Sequence, residues 1–369
     1  MVYSFLTAIN SQGLLAFLVK NGFAYQKLDM IDRYSIVGYI ISPFLLLLSS
    51  HWYSNKKLMM FSLVIYLILT ISIFNFISKT YIPLFFTILG AVEIYFTIAL
   101  LRHIILDKKL ILNKAISQVF VYGLLGYLIA ELVLYMEFFE IKDTNFLSLI
   151  ILNIFIIAAF IYTITSNKNF IANGKSEQID FLVIIKHMEL EAVAVFVVFY
   201  TLIAILNSYD SFDITNNLLI LSLHQEKYYM IIAIMGFIFY FPKILTYNLY
   251  LINLVSIIIL ASFMLVMKLW ATNIILNAVF WVIIAALLYL IFVANIIILS
   301  QKYQGKDLSI AFSLYCFVAS IGFYAGDVTV DRLSKTLGES GFILSVSCAL
   351  VTLLVYYFHR FKKDKLINW

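Results

Sequence analysis

The sequence predicts an all-α integral membrane protein of about twelve transmembrane helices in two six-helix bundles, and three observations predict it. Apolar residues make up 64% of the 369 and charged residues 12%, against about 45–50% and about a quarter in soluble domains. Mean hydropathy is +1.01. Apolar runs of about 18 residues or more recur along the whole length, each long enough to cross about 30 Å of hydrocarbon as a helix.

Taken in order, the apolar runs place six spans in the first half: Val2 to Val19, Met30 to Ser50, Leu58 to Ile77, Leu84 to Leu106, Ala115 to Tyr135 and Leu147 to Thr165. Asn10, Ser11 and Gln12 interrupt the first, which lacks a basic leader and a small-residue cleavage site and is expected to be a span. The stretch "SNKNFIANGKSEQID", Ser166 to Asp180, is the one extended polar segment and is expected to be a linker. Six further spans follow it: Glu191 to Asn207, Tyr228 to Phe241, Leu249 to Met267, Asn273 to Leu299, Leu308 to Gly326 and Phe342 to Phe358. The expected domains are therefore residues 1–165, a cytoplasmic linker at 166–190, and residues 191–369 with a short basic tail.

Orientation follows from Lys and Arg in the short loops. With both termini cytoplasmic, the inner side collects sixteen of the twenty-five basic residues, among them Lys56, Lys57, Arg102, Lys302, Arg360 and Lys363. The outer side receives most of the acids, including Asp29, Asp32, Asp210, Asp327 and Asp331. This bias accounts for the net charge of +5 without a nucleic-acid partner. Cys316 and Cys348 both lie in apolar runs and read as small packing residues, not as a disulfide or metal framework.

Several local patterns resemble the major facilitator superfamily. "LLLLSSHWYSNKKLMM", Leu45 to Met60, sits at the tight loop between spans two and three, where that family carries a glycine- and aspartate-containing motif ending in basic residues; Lys56 and Lys57 match its basic end. "IILDKKLILNKAISQVFVYGLLGYLIAELV", Ile104 to Val133, is similar to the acidic-basic loop that feeds a fifth helix with a glycine pair, here Gly123 and Gly126. Gln301 to Phe358 is similar to the family's last two spans, with Gly322-x-x-x-Gly326, a short polar crossing and a final helix. Within the superfamily, Leu14 to Leu48 with Pro43 late in span two resembles the muropeptide-permease and acetyl-CoA-transporter branch. The resemblance implies two six-helix halves joined by a cytoplasmic linker.

The residues that bear on function are polar groups at membrane depth. Glu93 lies inside span four and shares a helical face with Gly90 and Thr97. A charge at the bilayer centre costs at least about 2.5–3.5 kcal/mol, so such residues turn to a cavity or a partner. Two readings stand: a carboxyl that binds and releases the proton of a coupled carrier, or a neutral acid bonded to a neighbouring helix. Arg102, nine residues on and about 13.5 Å away along the axis, points to another side and marks the cytoplasmic boundary. Glu131, near the outer end of span five between Tyr127 and Tyr135, reads as an outer gate or a boundary glutamate. Asn277 and Asn295 are five turns apart in span ten and share a face with Trp281. They either line a cavity or hydrogen-bond between helices, with Asn10 the corresponding polar group of span one.

Absent motifs narrow the function. No phosphate-binding loop, zincin motif or nucleophile elbow occurs. The expected activity is secondary transport of a small solute by alternating access, proton-coupled, as symporter or antiporter. In this scheme Glu93 carries the proton, Asn10, Asn277 and Asn295 bind solute, Trp281 packs on it, Glu131 stands on the pathway, and Lys56, Lys57 and Arg102 hold the inner gate. No enzymatic activity, cofactor, metal or nucleic acid is expected, and the expected setting is a monomer in the bacterial inner membrane. The alternatives are a membrane-embedded lipid-linked glycosyltransferase using Asp29 and Asp32, or a superfamily member that has lost transport.

Overall fold

A computed structural model describes residues 28–50, 55–76, 81–106, 146–166, 190–207, 247–270, 274–303 and 305–367, with a few isolated residues elsewhere. Spans one, five and eight, the linker, Asn10 and Glu131 lie outside the described residues. Within them the structure is helical throughout, in nine helices: α1 (Leu28–Ser50), α2 (Asn55–Phe76), α3 (Ile82–Leu106), α4 (Phe146–Ser166), α5 (Leu190–Asn207), α6 (Leu249–Trp270), α7 (Ile274–Lys302), α8 (Gly305–Leu337) and α9 (Glu339–Ile367). Three of these, α2, α3 and α9, contain stretches long and apolar enough to cross a membrane, at Lys56–Ile73, Ile82–Leu100 and Ser340–Lys363.

Helix is the form such sequences must take in lipid, because hydrocarbon offers no hydrogen-bond partner and each backbone group has to be satisfied within its own segment. Ends are built locally. Asn248 caps α6 by accepting the Leu251 N–H on its Oδ1 at 3.1 Å. Gly338, at a φ of 50°, turns α8 into α9, and its carbonyl accepts from the Gly341 and Phe342 amides. Serine and threonine hydroxyls inside the helices bond back to the preceding turn, as Thr70 does to Tyr66 O at 2.9 Å and Thr352 to Cys348 O at 2.8 Å.

The helices group into two compact units: α1–α4 in the first, and α5–α9 in the second except for Phe312–Phe317 of α8, which group with the first. In the first unit α1 packs most extensively on α3, and α2 on α3 and α4. Two glycines make the α1–α3 contact possible. A Cβ at Gly38 would run into the backbone of Thr87 and Ala91, and one at Gly90 into the backbone of Ser35. In the second unit α6 packs on α7, and α9 on both α5 and α6. Its core gathers Phe199, Leu202, Ile257, Leu260, Ile291, Leu353 and Tyr357.

With lipid on the outside, packing rather than water exclusion selects the inward face. Along α9 the buried positions Phe342, Val346, Leu350, Leu353 and Tyr357 recur every three or four residues, while Leu344, Val351, Val355 and Phe358 are equally apolar and exposed. The eleventh span differs from expectation. It does not stop at Gly326 but continues as α8 to Leu337, taking Asp327 into the helix.

Candidate functional site

Glu93 occupies the middle of α3, eleven residues after its start and thirteen before its end. At about 1.5 Å per residue it lies about 17 Å from the first residue of α3 and about 20 Å from the last. Its flanks are packed: Leu89 and Phe96 are buried, and Phe96 meets Phe160 of α4 edge-on with ring centroids 5.6 Å apart. Gly90, one turn earlier, carries the contact with Ser35 of α1. Thr97, one turn later, donates its hydroxyl to the Glu93 carbonyl at 3.0 Å. Half a turn from Glu93, the Tyr95 hydroxyl shares a hydrogen with Ser49 of α1 at 2.5 Å. Gly90, on the face expected to be small and polar, is thus where α3 meets the backbone of α1, one turn from Glu93.

In the same unit, Lys56 in the first turn of α2 donates from Nζ to the Thr165 carbonyl at the end of α4, at 3.2 Å. This satisfies one of the carbonyls that a helix terminus leaves open. Lys57 is exposed. Arg102 belongs to α3 by position, in its last two turns; its side chain lies outside the described residues.

In the second unit, Asn277 and Trp281 belong to the first turns of α7, and their side chains also lie outside the described residues. Asn295 is described and buried, and it joins three helices. Its Oδ1 accepts from Asn253 Nδ2 of α6 at 3.1 Å and from the Tyr357 hydroxyl of α9 at 2.8 Å. Asn253 and Tyr357 are fully buried. The sequence does not by itself pair Asn295 with Asn253 or Tyr357, although an asparagine inside the apolar run "LYLINLVSIII" is a signal that a buried amide needs a mate.

A second polar contact links α5 to α8. Thr201 Oγ1 donates to Val197 O at 2.8 Å and across to Gly322 O at 2.9 Å. Gly322 and Gly326 lie directly on α5, where a Cβ on Gly326 would sit 2.6 Å from the Ala204 Cβ. The glycine pair is thereby a close-packing device. At the far end of this unit, Arg360 of α9 pairs with Glu191 in the first turn of α5 at 3.0 Å, and its guanidinium stands 5.5 Å from the Tyr356 ring centroid. Cys316 and Cys348 are free thiols on α8 and α9.

No family model matches the chain. It is similar to an uncharacterized protein of Rickettsia prowazekii (strain Madrid E), at 29% identity over 376 residues, covering 100% of this chain and 95% of that one. Among solved structures it is similar to the E. coli fucose:proton symporter, with a TM-score of 0.75, 13% sequence identity, and coverage of 97% of this chain and 96% of that one. A likeness of that extent over nearly the full length of both chains shows the fold: an all-helical, multi-pass membrane protein of major-facilitator-like architecture.

Proposed function

We propose that the protein is a secondary active transporter, not an enzyme, that moves a small solute across the membrane by alternating access and draws on a proton gradient. The observation that carries this is a carboxyl at mid-membrane depth, Glu93, placed beside a close helix crossing in a chain with the fold of a proton symporter. Intramembrane acids in helical bundles mark proton relays and substrate paths. Glu93 is the proton carrier in this scheme; Asn10, Asn277 and Trp281 bind solute, Glu131 stands on the outer pathway, and Asn295 orders the helices of the second bundle while presenting what remains of its amide. Lys56, Lys57 and Arg102 hold the inner gate.

The same reading divides the chain into bundles at residues 1–165 and 191–369 with a cytoplasmic linker at 166–190, and sets both termini inside a bacterial inner membrane as a monomer. Two contacts agree with the order of spans in that scheme: the start of α2 meets the end of α4 through Lys56, and the start of α5 meets the end of α9 through Arg360, so within each unit a helix begins at the face where another ends. Pro43, inside α1, supports the assignment to the muropeptide-permease and acetyl-CoA-transporter branch.

Reconstituted vesicles containing a trapped pH dye test the reading. With sugars, amino acids, amines and muropeptide fragments added in turn, at least one is expected to drive proton movement that an uncoupler collapses and Glu93→Gln abolishes. Solute uptake indifferent to both uncoupler and Glu93→Gln would remove proton coupling.

A further inference from the structure

Along its apolar stretch, α9 buries one side and shows the other. Phe342, Val346, Leu350, Leu353 and Tyr357 are buried, while Leu344, Val351, Val355 and Phe358 are exposed. At about 100° per residue these four exposed side chains fall within about 60° of one another, a stripe that runs along the helix for about 21 Å. In a chain that spans the bilayer, such a stripe faces acyl chains.

The stripe leads into basic residues. His359, Lys362 and Lys363 are also exposed, and the chain is still helical there, since α9 runs to Ile367. Lys362, about one turn past Phe358, lies within about 20° of Val351 and Val355 in projection, so it continues the stripe along its own line. His359 and Lys363 border it on the side of Thr352, itself exposed. By sequence the last turns of α9 also carry Lys365 and Asp364.

Their depth follows from helix length. Hydrocarbon about 30 Å thick takes about twenty helical residues. Counted from Ser340, where the apolar stretch of α9 begins, that length is used up at Arg360. The neighbouring helix agrees, because Arg360 pairs at 3.0 Å with Glu191, the second residue of α5. Arg360 is turned toward protein, with 13% of its side chain exposed and the Tyr356 ring beside its guanidinium. His359, Lys362 and Lys363 stand near the same level on the exposed side, where lipid headgroups begin.

We propose that the end of α9 is a binding site for an anionic phospholipid: His359, Lys362 and Lys363 take the headgroup phosphate, and the stripe from Leu344 to Phe358 takes an acyl chain. Basic residues at a membrane surface attract anionic lipid, and a lysine stem lies along apolar surface while its ammonium reaches headgroup level. The continuity of stripe and cations selects a lipid over free phosphate, which would use the cations alone. A second copy related by a two-fold axis along the membrane normal would set these cations against themselves. The site requires a membrane and is independent of what the protein carries across it.

Native mass spectrometry of the full-length protein in dodecylmaltoside tests this, with dioleoyl-phosphatidylglycerol and dioleoyl-phosphatidylcholine titrated in separately. Phosphatidylglycerol is expected to be retained in preference. Lys362→Gln combined with Lys363→Gln is expected to remove the preference, at about fivefold for each cation lost near the headgroup. Lys335→Gln, the same charge change near the end of α8, is expected to leave it intact. Excess inorganic phosphate is expected not to displace the lipid. A phosphatidylglycerol with a diazirine in its acyl chain is expected to cross-link to α9 between Leu344 and Phe358, a result that needs no variant. Equal retention of the two lipids, a preference that survives loss of both lysines, displacement by inorganic phosphate, or cross-links confined to other helices overturns the proposal. A dimer mass without bound lipid overturns it as well, by assigning the face to a second copy.

Discussion

Replacing Asn295 by leucine removes the acceptor at the centre of the α6–α7–α9 joint. Two hydrogen bonds end on its Oδ1, from Asn253 Nδ2 and from the Tyr357 hydroxyl. Hydrogen bonds between membrane helices contribute about 0.6 kcal/mol on average and up to about 1.7. The larger effect comes from what is left behind: Asn253 and Tyr357 are each 0% exposed, and a buried donor that loses its partner costs about 1–3 kcal/mol. Asn295→Leu is therefore expected to destabilise by about 2–4 kcal/mol. Tyr357→Phe deletes one donor while Asn253 still occupies Oδ1, and is expected to cost about 0.6–1.7 kcal/mol. Unfolding in mixed dodecylmaltoside–SDS micelles, followed by far-UV circular dichroism, measures both. Because Tyr357→Phe also removes the hydroxyl that Asn295→Leu would orphan, the double variant should cost less than Asn295→Leu alone. Full additivity, or a neutral Asn295→Leu, would refute the shared-acceptor account.

Other consequences follow from the same unit. Gly326→Ala forces a Cβ to within 2.6 Å of the Ala204 Cβ and 2.7 Å of the Thr201 carbonyl, so α5 and α8 must part, at about 1–3 kcal/mol in the same micelle titration. Gly338→Ala meets nothing within 4 Å but must hold a φ of 50°, which costs roughly 1–2 kcal/mol through the backbone alone; Gly338→Asn should recover part of it. Glu191 is 62% exposed against 13% for Arg360, so Glu191→Gln is expected to cost under about 1 kcal/mol. Arg360→Ala should cost more, because the contact with Tyr356 and the packed stem go with the charge. Equal losses for the two would show that the ion pair alone matters.

The spans were legible because length in hydrocarbon is a one-dimensional constraint. α6 starts at Leu249 and α3 ends at Leu106, as the apolar runs indicate. Which side of a span meets protein was not legible, since α9 buries Leu353 fully and leaves Val351 61% exposed with no difference in chemistry to tell them apart. Site residues follow the same division. Glu93 stands out in any hydropathy reading, whereas the partners of Asn295 come from helices 42 and 62 residues away in sequence and depend on packing that periodicity does not encode.

Asp327 shows why polarity alone misplaces a helix end. "GDVTVDRLSKTLG" looks like a loop because its charges begin at Asp327, but a helix stops where its backbone is released, and nothing before Gly338 releases it. Thr329 keeps its hydroxyl on the Ala325 carbonyl at 2.7 Å, one turn back, as a residue inside a continuing helix does. The stretch that resembles a loop is therefore three further turns of α8, and they lift the true turn about 16 Å above Asp327. A chain that wanted this carboxyl in water had only to place a Gly338-like residue after Gly326. With the helix carried past it instead, Asp327 lies within α8, one residue after the glycine that packs on Thr201 and Ala204 of α5 and eleven before the turn at Gly338.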